Sequence, residues 1–531
     1  MQVSVKERKS AMFKKIFGRV IVVVPAIALQ VLFWGFIILF VNRLSDYHLG
    51  EIINILFTIL AVIFVLSLVT RRDESAYKIL WIIVIVAMPV LGAILYLFLG
   101  NKRTGKHLDR KIKRASEALQ RRDYFKNENV MERVEEEAEG EDKRIMQSLA
   151  HLSSDNYFPM VENESVKYFP FGELAFADMC ENLKKAEKYV YIEYFILQRG
   201  KFWDTLTDIL AERAEHGVDV RVLYDDLGSI GTYSMKDVAE LRERGIKCIP
   251  FNPFLIIRTQ LNNRTHRKIM VIDGEIAYSG GINIADEYIN EIHPYGVWKD
   301  LCFRLTGTAV ESYRLMFLEF WNAVNEKEVI VPEPLPAPNE RHIVKAPDKT
   351  DGFVMPYYDS PENDDHASNT LFIEMLSMAK DYVWFYTPYL MLGDALFEAF
   401  IRAARRGVDV RLITPGISDS KIVHRISRSY YRDLLLAGVK IYEYSPGFVH
   451  AKAFVADDKI CGIGTVNLDY RSLFLHYECS SIFYKSDVIN VLKKDYLSTQ
   501  SECAEKTVEE MTFGAFHRLI DSILRVIAPL L

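Results

Sequence analysis

His266-Arg267-Lys268-Ile269-Met270-Val271-Ile272-Asp273 is written a second time, as His450-Ala451-Lys452-Ala453-Phe454-Val455-Ala456-Asp457. In each copy His and Lys stand two residues apart at the head of an apolar run, and a period of two sets both side chains on one face of a strand. The aspartate follows seven residues after the histidine, an odd spacing that turns it to the opposite face of an unbroken strand. Asp273-Gly274 and Asp457-Asp458 are also turn signals, so these carboxylates suit an orienting or structural role better than proton transfer, although the motif groups them with the catalytic set. Gly280-Gly281-Ile282-Asn283 and Gly464-Thr465-Val466-Asn467 each begin seven residues past the aspartate. One His-x-Lys pair is ordinary strand surface; a compound pattern that recurs with all its companions is evidence of a site.

The repeat reaches upstream. Tyr189-Val190-Tyr191-Ile192-Glu193-Tyr194 is echoed by Tyr382-Val383-Trp384-Phe385-Tyr386-Thr387, and Gly-Val-Asp-Val occurs at 217–220 and 407–410, 190 residues apart (407 − 217). Strand-like runs alternate with helical patterns, which predicts an α/β fold with mixed sheets covered by helices. The period is too long for a solenoid. Two lobes related by a pseudo-twofold axis are expected at 161–340 and 341–504, joined near Pro332, Pro334, Pro336 and Pro338.

The rest of the chain is unlike the repeat. Residues 20–41, 52–70 and 79–99 carry no charge, and about 20 apolar residues cross a bilayer core. They predict an N-terminal membrane region over 1–100, with two or three spans. Seven basic residues between Lys102 and Arg114 favour catalytic lobes that face the cytoplasm. Residues 101–160 read as a charged, solvated helical linker. Residues 505–531 read as an amphipathic C-terminal helix whose stripe either packs on the lobes or lies in a lipid interface. The 65 basic and 71 acidic residues give a net charge of −6 and no dominant basic stripe, which speaks against a nucleic-acid partner. Six scattered cysteines without a CxxC pair indicate neither a disulfide framework nor a zinc site, and no compact metal-ligand cluster is visible in the sequence.

The duplicated H-x-K-x-x-x-x-D pattern with its G-[GST]-x-N companion resembles the phospholipase D superfamily over roughly residues 165–531, most closely the bacterial cardiolipin synthases. Asn263-Arg264-Thr265-His266, Thr387-Pro388-Tyr389, Gly447-Phe448-Val449-His450 and, in the membrane region, Arg71-Arg72-Asp73 carry that likeness. The resemblance implies a phosphatidyltransferase at the cell membrane that needs no cofactor or metal. Its substrates would be phosphatidylglycerol and other anionic phospholipids, and a homo-oligomer is compatible with it. It places catalysis at His266, Lys268, Asp273, His450, Lys452 and Asp457, with Asn283, Asn467, Gly281, Thr465, Glu478 and Asp300 in support. The first-motif histidine would attack phosphorus and His450 would serve as acid and base, with the near symmetry of the halves leaving the opposite assignment open. Glu478 and Asp300 would hydrogen-bond the histidines. A lipid hydrolase with the same intermediate is the nearest rival; a membrane-tethered nuclease and a non-catalytic membrane scaffold are weaker ones. His216, His293, His424 and His476 are not repeated between the halves and read as ordinary, although His476 lies close enough to the second motif to touch substrate.

Overall fold

The duplicated runs become duplicated strands. In the computed structural model residues 49–71, 73–88, 92, 95–96, 106–119, 130–156, 159–253, 262–325, 328–333, 335–362 and 365–530 are described. The first half supplies β1 (Val161–Glu162), β2 (Ser165–Phe169), β3 (Tyr189–Tyr194), β4 (Asp219–Asp225), β5 (Lys247–Phe251), β6 (Ile269–Ile272), β7 (Ile276–Gly280), β8 (Val297–Lys299) and β9 (Cys302–Thr306). The second half supplies β10 (Phe353–Asp359), β11 (Tyr382–Tyr386), β12 (Asp409–Pro415), β13 (Lys440–Tyr444), β14 (Gly447–Val449), β15 (Ala453–Ala456), β16 (Ile460–Gly464), β17 (Glu478–Tyr484) and β18 (Cys503–Glu505).

One sheet runs β2-β9-β7-β6-β3-β4-β5, and the other runs β1-β10-β17-β16-β15-β11-β12-β13-β18. Without its two edge strands, the second order is the first one repeated element for element. In each, three strands are parallel and linked through helices, and the motif strand enters antiparallel beside the first of them. The mixed α/β architecture expected from the repeat is therefore present. Val161 and Glu162 pair with β10, so β1 is an edge of the second sheet, and the first half proper begins at Ser165.

The helix Ala309–Val324 holds the halves together. Every residue from Ala309 to Ala323 is buried, the pattern of a helix covered on all sides. It packs on β3, β5, β6, β7 and β9 of the first sheet and on β10 of the second. Phe317 stacks on Tyr191 with centroids 4.8 Å apart, and Phe320 stacks on Phe251 at 4.7 Å.

The solvated linker expected over 101–160 is corrected. Lys106–Leu119, Met131–Glu137 and Gly140–Asn156 are helical, but Leu119, Met131, Val134, Met146 and Leu149 are buried. The first of these helices packs on Ala309–Val324 and the third on Ala367–Met378. Charge on the outer faces had masked a stripe of apolar residues wide enough to dock them.

The N-terminal region forms a separate unit. Its helices Leu49–Val69 and Ser75–Ala87 pack through Ala61, Leu68, Tyr77, Trp81 and Ile85. Among the described residues no helix is long and apolar enough to cross a membrane, so the expected spans at 52–70 and 79–99 are not established. The second helix ends before Met88, whose φ of −142° and ψ of 74° are non-helical, in keeping with the bias against helix for a residue that precedes proline. The expected segment at 20–41 lies outside the described residues.

Candidate active site

Period two decides what surrounds each motif. Thr265 and Arg267, on either side of His266, turn to the core, where Thr265 Oγ1 donates to Glu193 at 2.5 Å and Arg267 grips Glu193 at 3.0 and 2.9 Å. Arg264 is locked to Asp225, with Nε 2.9 Å from Oδ1. These paired, buried charges fix the backbone from behind and leave His266 and Lys268 on the opposite face.

Each motif strand is then hydrogen-bonded to the other half of the chain. His266 N donates to Tyr477 O at 2.8 Å, and Tyr477 N donates to Arg264 O at 3.0 Å. Reciprocally, β14 pairs in parallel with β8, and His450 N donates to Lys299 O at 2.7 Å. That pairing needs glycine at 296, which has φ +77° and where a Cβ would lie 2.3 Å from the Pro446 carbonyl oxygen.

The residue after each cross-pairing segment is the carboxylate that the histidine uses. Glu478 receives His266 Nδ1 with both oxygens at 2.9 Å, and Asp300 Oδ2 lies 2.6 Å from His450 Nδ1. A carboxylate against Nδ1 assigns the proton there and leaves Nε2 with its lone pair. Thr465 Oγ1 donates to Glu478, and Cys479 N donates to that hydroxyl at 3.0 Å. At the equivalent position in the first half, Gly281 leaves room for Asp300: a Cβ there would stand 2.0 Å from Oδ1. Lys268 Nζ donates to His266 O at 2.7 Å, and Lys452 Nζ donates to His450 O.

All six charged or ionisable groups are buried, and burial governs their protonation. Desolvation and the nearby lysines hold both histidines well below the ordinary imidazole value; for His450 a hydrogen bond with the Gly281 backbone acts in the opposite sense. Desolvation lowers Lys268 to about 8 and Lys452 to about 7. It raises Asp300 and Glu478 to about 7 each, against the pull of Lys452 on the first and of Lys268 on the second. The site therefore presents two neutral imidazoles and two lysines poised close to neutral pH in a dry setting, where an anionic phosphodiester would favour their charged forms.

Comparison with known proteins agrees. The family described as "Cardiolipin synthase, PLD-like domain" matches residues 179–298 and 372–498, and one described as phospholipase D-nuclease N-terminal matches 56–101. Cardiolipin synthase of Alkalihalophilus pseudofirmus is 32% identical over 509 residues, covering 93% of this chain and 97% of that one. The chain belongs to the cardiolipin synthase family. This family of the phospholipase D superfamily consists of phosphatidyltransferases. A cardiolipin synthase of a Geobacillus strain is 32% identical over 498 residues, 92% of this chain and 96% of its own. An uncharacterized Streptococcus mutans protein is 37% identical over 470 residues, 88% of this chain and 99% of its own. The crystal structure of phosphatidylserine synthase from Haemophilus influenzae shares the fold, with a TM-score of 0.54 and 14% identity over 73% of this chain and 98% of that one.

Within this cardiolipin synthase family member, the motif aspartates stand apart from the histidines. Asp273 (φ 52°) accepts the amides of Glu187, Lys188 and Tyr189 at 2.7, 2.9 and 2.7 Å. Asp457 (φ 50°) accepts those of Lys380, Asp381 and Tyr382 at 2.9, 3.0 and 2.8 Å. Each closes the turn at the far end of its motif strand and ties it to the start of its neighbour, roughly 20 Å of extended chain from the histidine. These hydrogen bonds to backbone amides are those of the orienting or structural role that the odd spacing suits. Asn283 is also committed elsewhere, with Oδ1 accepting the Ile196 amide at 3.2 Å and Nδ2 donating to Tyr288 at 2.7 Å. Asn467 keeps a buried Oδ1 without a partner.

His476 is the residue that sequence reasoning undervalued. It is buried beside His266, ring centroids 5.8 Å apart, with Nε2 unpartnered. Its counterpart two residues before Asp300 is Trp298, ring centroid 5.6 Å from that of His450, so this histidine is not part of the repeat. Ligand atoms of His266, His476 and Glu478 lie within 4.8 Å of one another, so the fold does assemble a metal-capable trio that the sequence did not show. A metal using Nδ1 of His266 would have to replace the His266–Glu478 hydrogen bond.

Proposed function

We propose that the protein transfers a phosphatidyl group from one phosphatidylglycerol to a second, giving cardiolipin and glycerol. The observation that carries this reading is the reciprocal pair of buried histidines, each oriented by a carboxylate, with Lys268 and Lys452 beside them. His266 Nε2 attacks phosphorus and the bond to the departing glycerol oxygen breaks, leaving a phosphohistidine. His450 gives its proton to that oxygen. A hydroxyl of the second phosphatidylglycerol then attacks phosphorus, the P–N bond breaks, and the hydroxyl proton passes to His450. The bound phosphodiester supplies the negative charge that favours a protonated His450, which burial and the lysines disfavour in the free site. Lys268 and Lys452 hold the non-bridging oxygens as charge gathers on them.

The N-terminal unit holds the enzyme in the cell membrane. Ile55, Leu56, Ile59, Val62, Ile63, Leu66 and Val69 are each more than half exposed along one helix, a surface suited to lipid. The basic residues from Lys102 to Arg114 favour catalytic halves on the cytoplasmic face. Purified protein incubated with headgroup-labelled and acyl-labelled phosphatidylglycerol tests the function: cardiolipin and free glycerol in equal amounts are expected. Phosphatidic acid as the only lipid product would replace the transferase with a hydrolase.

A further inference from the structure

The C-terminal helix Ala515–Ile527 carries Phe516, Leu519, Ile520, Ile523, Leu524 and Ile527 along one stripe. Packing that stripe on the body would be the ordinary use of it. Instead, no residue of the helix is buried, and Phe516, Leu519 and Ile523 are 70%, 59% and 56% exposed. Polar contacts fasten it. Asp521 pairs with Arg425 at 2.9 Å, and Arg525 donates to Ser429 Oγ at 3.1 Å, lies 3.5 Å from Asp433 and sits over the Tyr430 ring at 4.4 Å. The helix thus lies against Lys421–Ala437, whose own Ile422, one turn before Arg425, is 57% exposed.

The end of the helix is rooted near the site. Ala528 and Pro529 are buried, and Leu530 O accepts from Arg471 Nη2 at 3.0 Å. Arg471 belongs to the short helix Tyr470–Phe474, between Asn467 on one side and His476 and Glu478 on the other.

Each large apolar side chain left in water forgoes the gain of burial, so the stripe calls for an occupant. A 13-residue helix is about 20 Å long, and its stripe falls well short of the roughly 800 Å² per partner that a stable dimer buries. The substrates of the proposed reaction are themselves bilayer components, and the helix is amphipathic, with Arg518, Asp521 and Arg525 on the side away from the apolar stripe. We propose that Ala515–Ile527 is an interfacial helix that lies in the headgroup region of the bilayer, with Phe516, Leu519 and Ile523 toward the acyl chains. It ties the segment Asn467–Glu478 to the lipid surface. The inference rests on the lipid-transfer reading for its choice of occupant.

The test uses the full chain in phosphatidylglycerol vesicles, with an environment-sensitive fluorescent amino acid placed at 519 or 523 and, as controls, at 518 or 522. Blue-shifted emission quenched by brominated acyl chains is expected at 519 and 523 and not at 522. Emission indifferent to brominated lipid, or a shift that follows protein concentration instead, overturns the proposal, the second outcome pointing to another copy of the chain. In parallel, Phe516→Ser/Leu519→Ser/Ile523→Ser should lower turnover of vesicle phosphatidylglycerol about tenfold and leave turnover of a short-chain, monomeric phosphatidylglycerol unchanged. Equal loss on both substrates assigns the stripe a structural role and overturns it. Failure of the lipid-transfer reading would show separately, as wild-type protein that makes no cardiolipin from either substrate.

Discussion

The two histidines lie just ahead of equivalent strands, β6 and β15, but in unlike surroundings. His266 faces a glutamate that is itself held by Thr465, and it has the imidazole of His476 and the ring of Phe195 beside it. His450 faces an aspartate that accepts the Leu301 amide at 2.8 Å and has glycine where the other half has Thr465, and it is enclosed by Tyr288, Trp298 and Phe448, with centroids 5.3, 5.6 and 5.8 Å away. The two copies of one device thus differ in what surrounds them. In the proposed reaction, the hydroxyl-backed glutamate and neighbouring imidazole would give His266 a polar setting for a covalent intermediate. The aromatic enclosure would shield His450 from water, which matters for a group proposed to pass its proton to alcohols.

The strongest test of that difference is removal of either ring. His266→Ala and His450→Ala should each lower kcat by about 10⁴-fold, with the double variant little worse than either alone. Quenching under alkaline denaturing conditions, in which a phosphohistidine survives, with phosphorus-labelled lipid should trap phosphoenzyme in His450→Ala and none in His266→Ala; the reverse pattern would exchange the two roles. Next, Glu478→Gln and Asp300→Asn should each lower kcat about 10³-fold at nearly constant KM, because the amide reverses the tautomer that the carboxylate fixes. Gly281→Ala should cost about 10²-fold by displacing Asp300, whereas Thr465→Ser, which keeps the hydroxyl, should stay near wild type. Equal sensitivity at 281 and 465 would erase the proposed contrast between the halves.

The pH profile follows from burial. Asp300 and Glu478, raised to about 7, lose charge as pH falls through that value and no longer orient the rings. Lys452 at about 7 and Lys268 at about 8 lose charge as pH rises. The kcat/KM of the free enzyme should therefore be a narrow bell centred near pH 7, falling up to about a hundredfold per unit on either side because two groups titrate on each limb. Replacement of Lys452 by arginine, which stays charged, should extend the alkaline limb toward the value of Lys268, about 8. The smallest effect on turnover is expected at the motif aspartates. Asp273→Ala should leave kcat of the folded enzyme unchanged and lower stability by about 1–3 kcal/mol, read from thermal unfolding, since backbone amides at a strand end lose their acceptor.

Much of this was legible in the residues. The repeat predicted two matching α/β sheets, and the odd spacing of Asp273 and Asp457 placed them away from the histidines. The helices at 106–156 were misjudged as solvated because their charge density hides a narrow apolar face, and only a neighbour such as Ala309–Val324 shows that the face is used. His476 escaped because its partner position in the other half holds tryptophan.

Sequence alone determined the local facts: which residues alternate to one face of a strand, where turns close, and that the unit occurs twice. These depend on steric periods within a few residues. The tertiary structure decided the chemistry. Glu478 lies 212 residues from His266 and Asp300 lies 150 from His450, and only the crossing of strands between halves makes each pair. The protonation of all six groups is likewise a tertiary property, because it comes from the water that the assembled halves exclude.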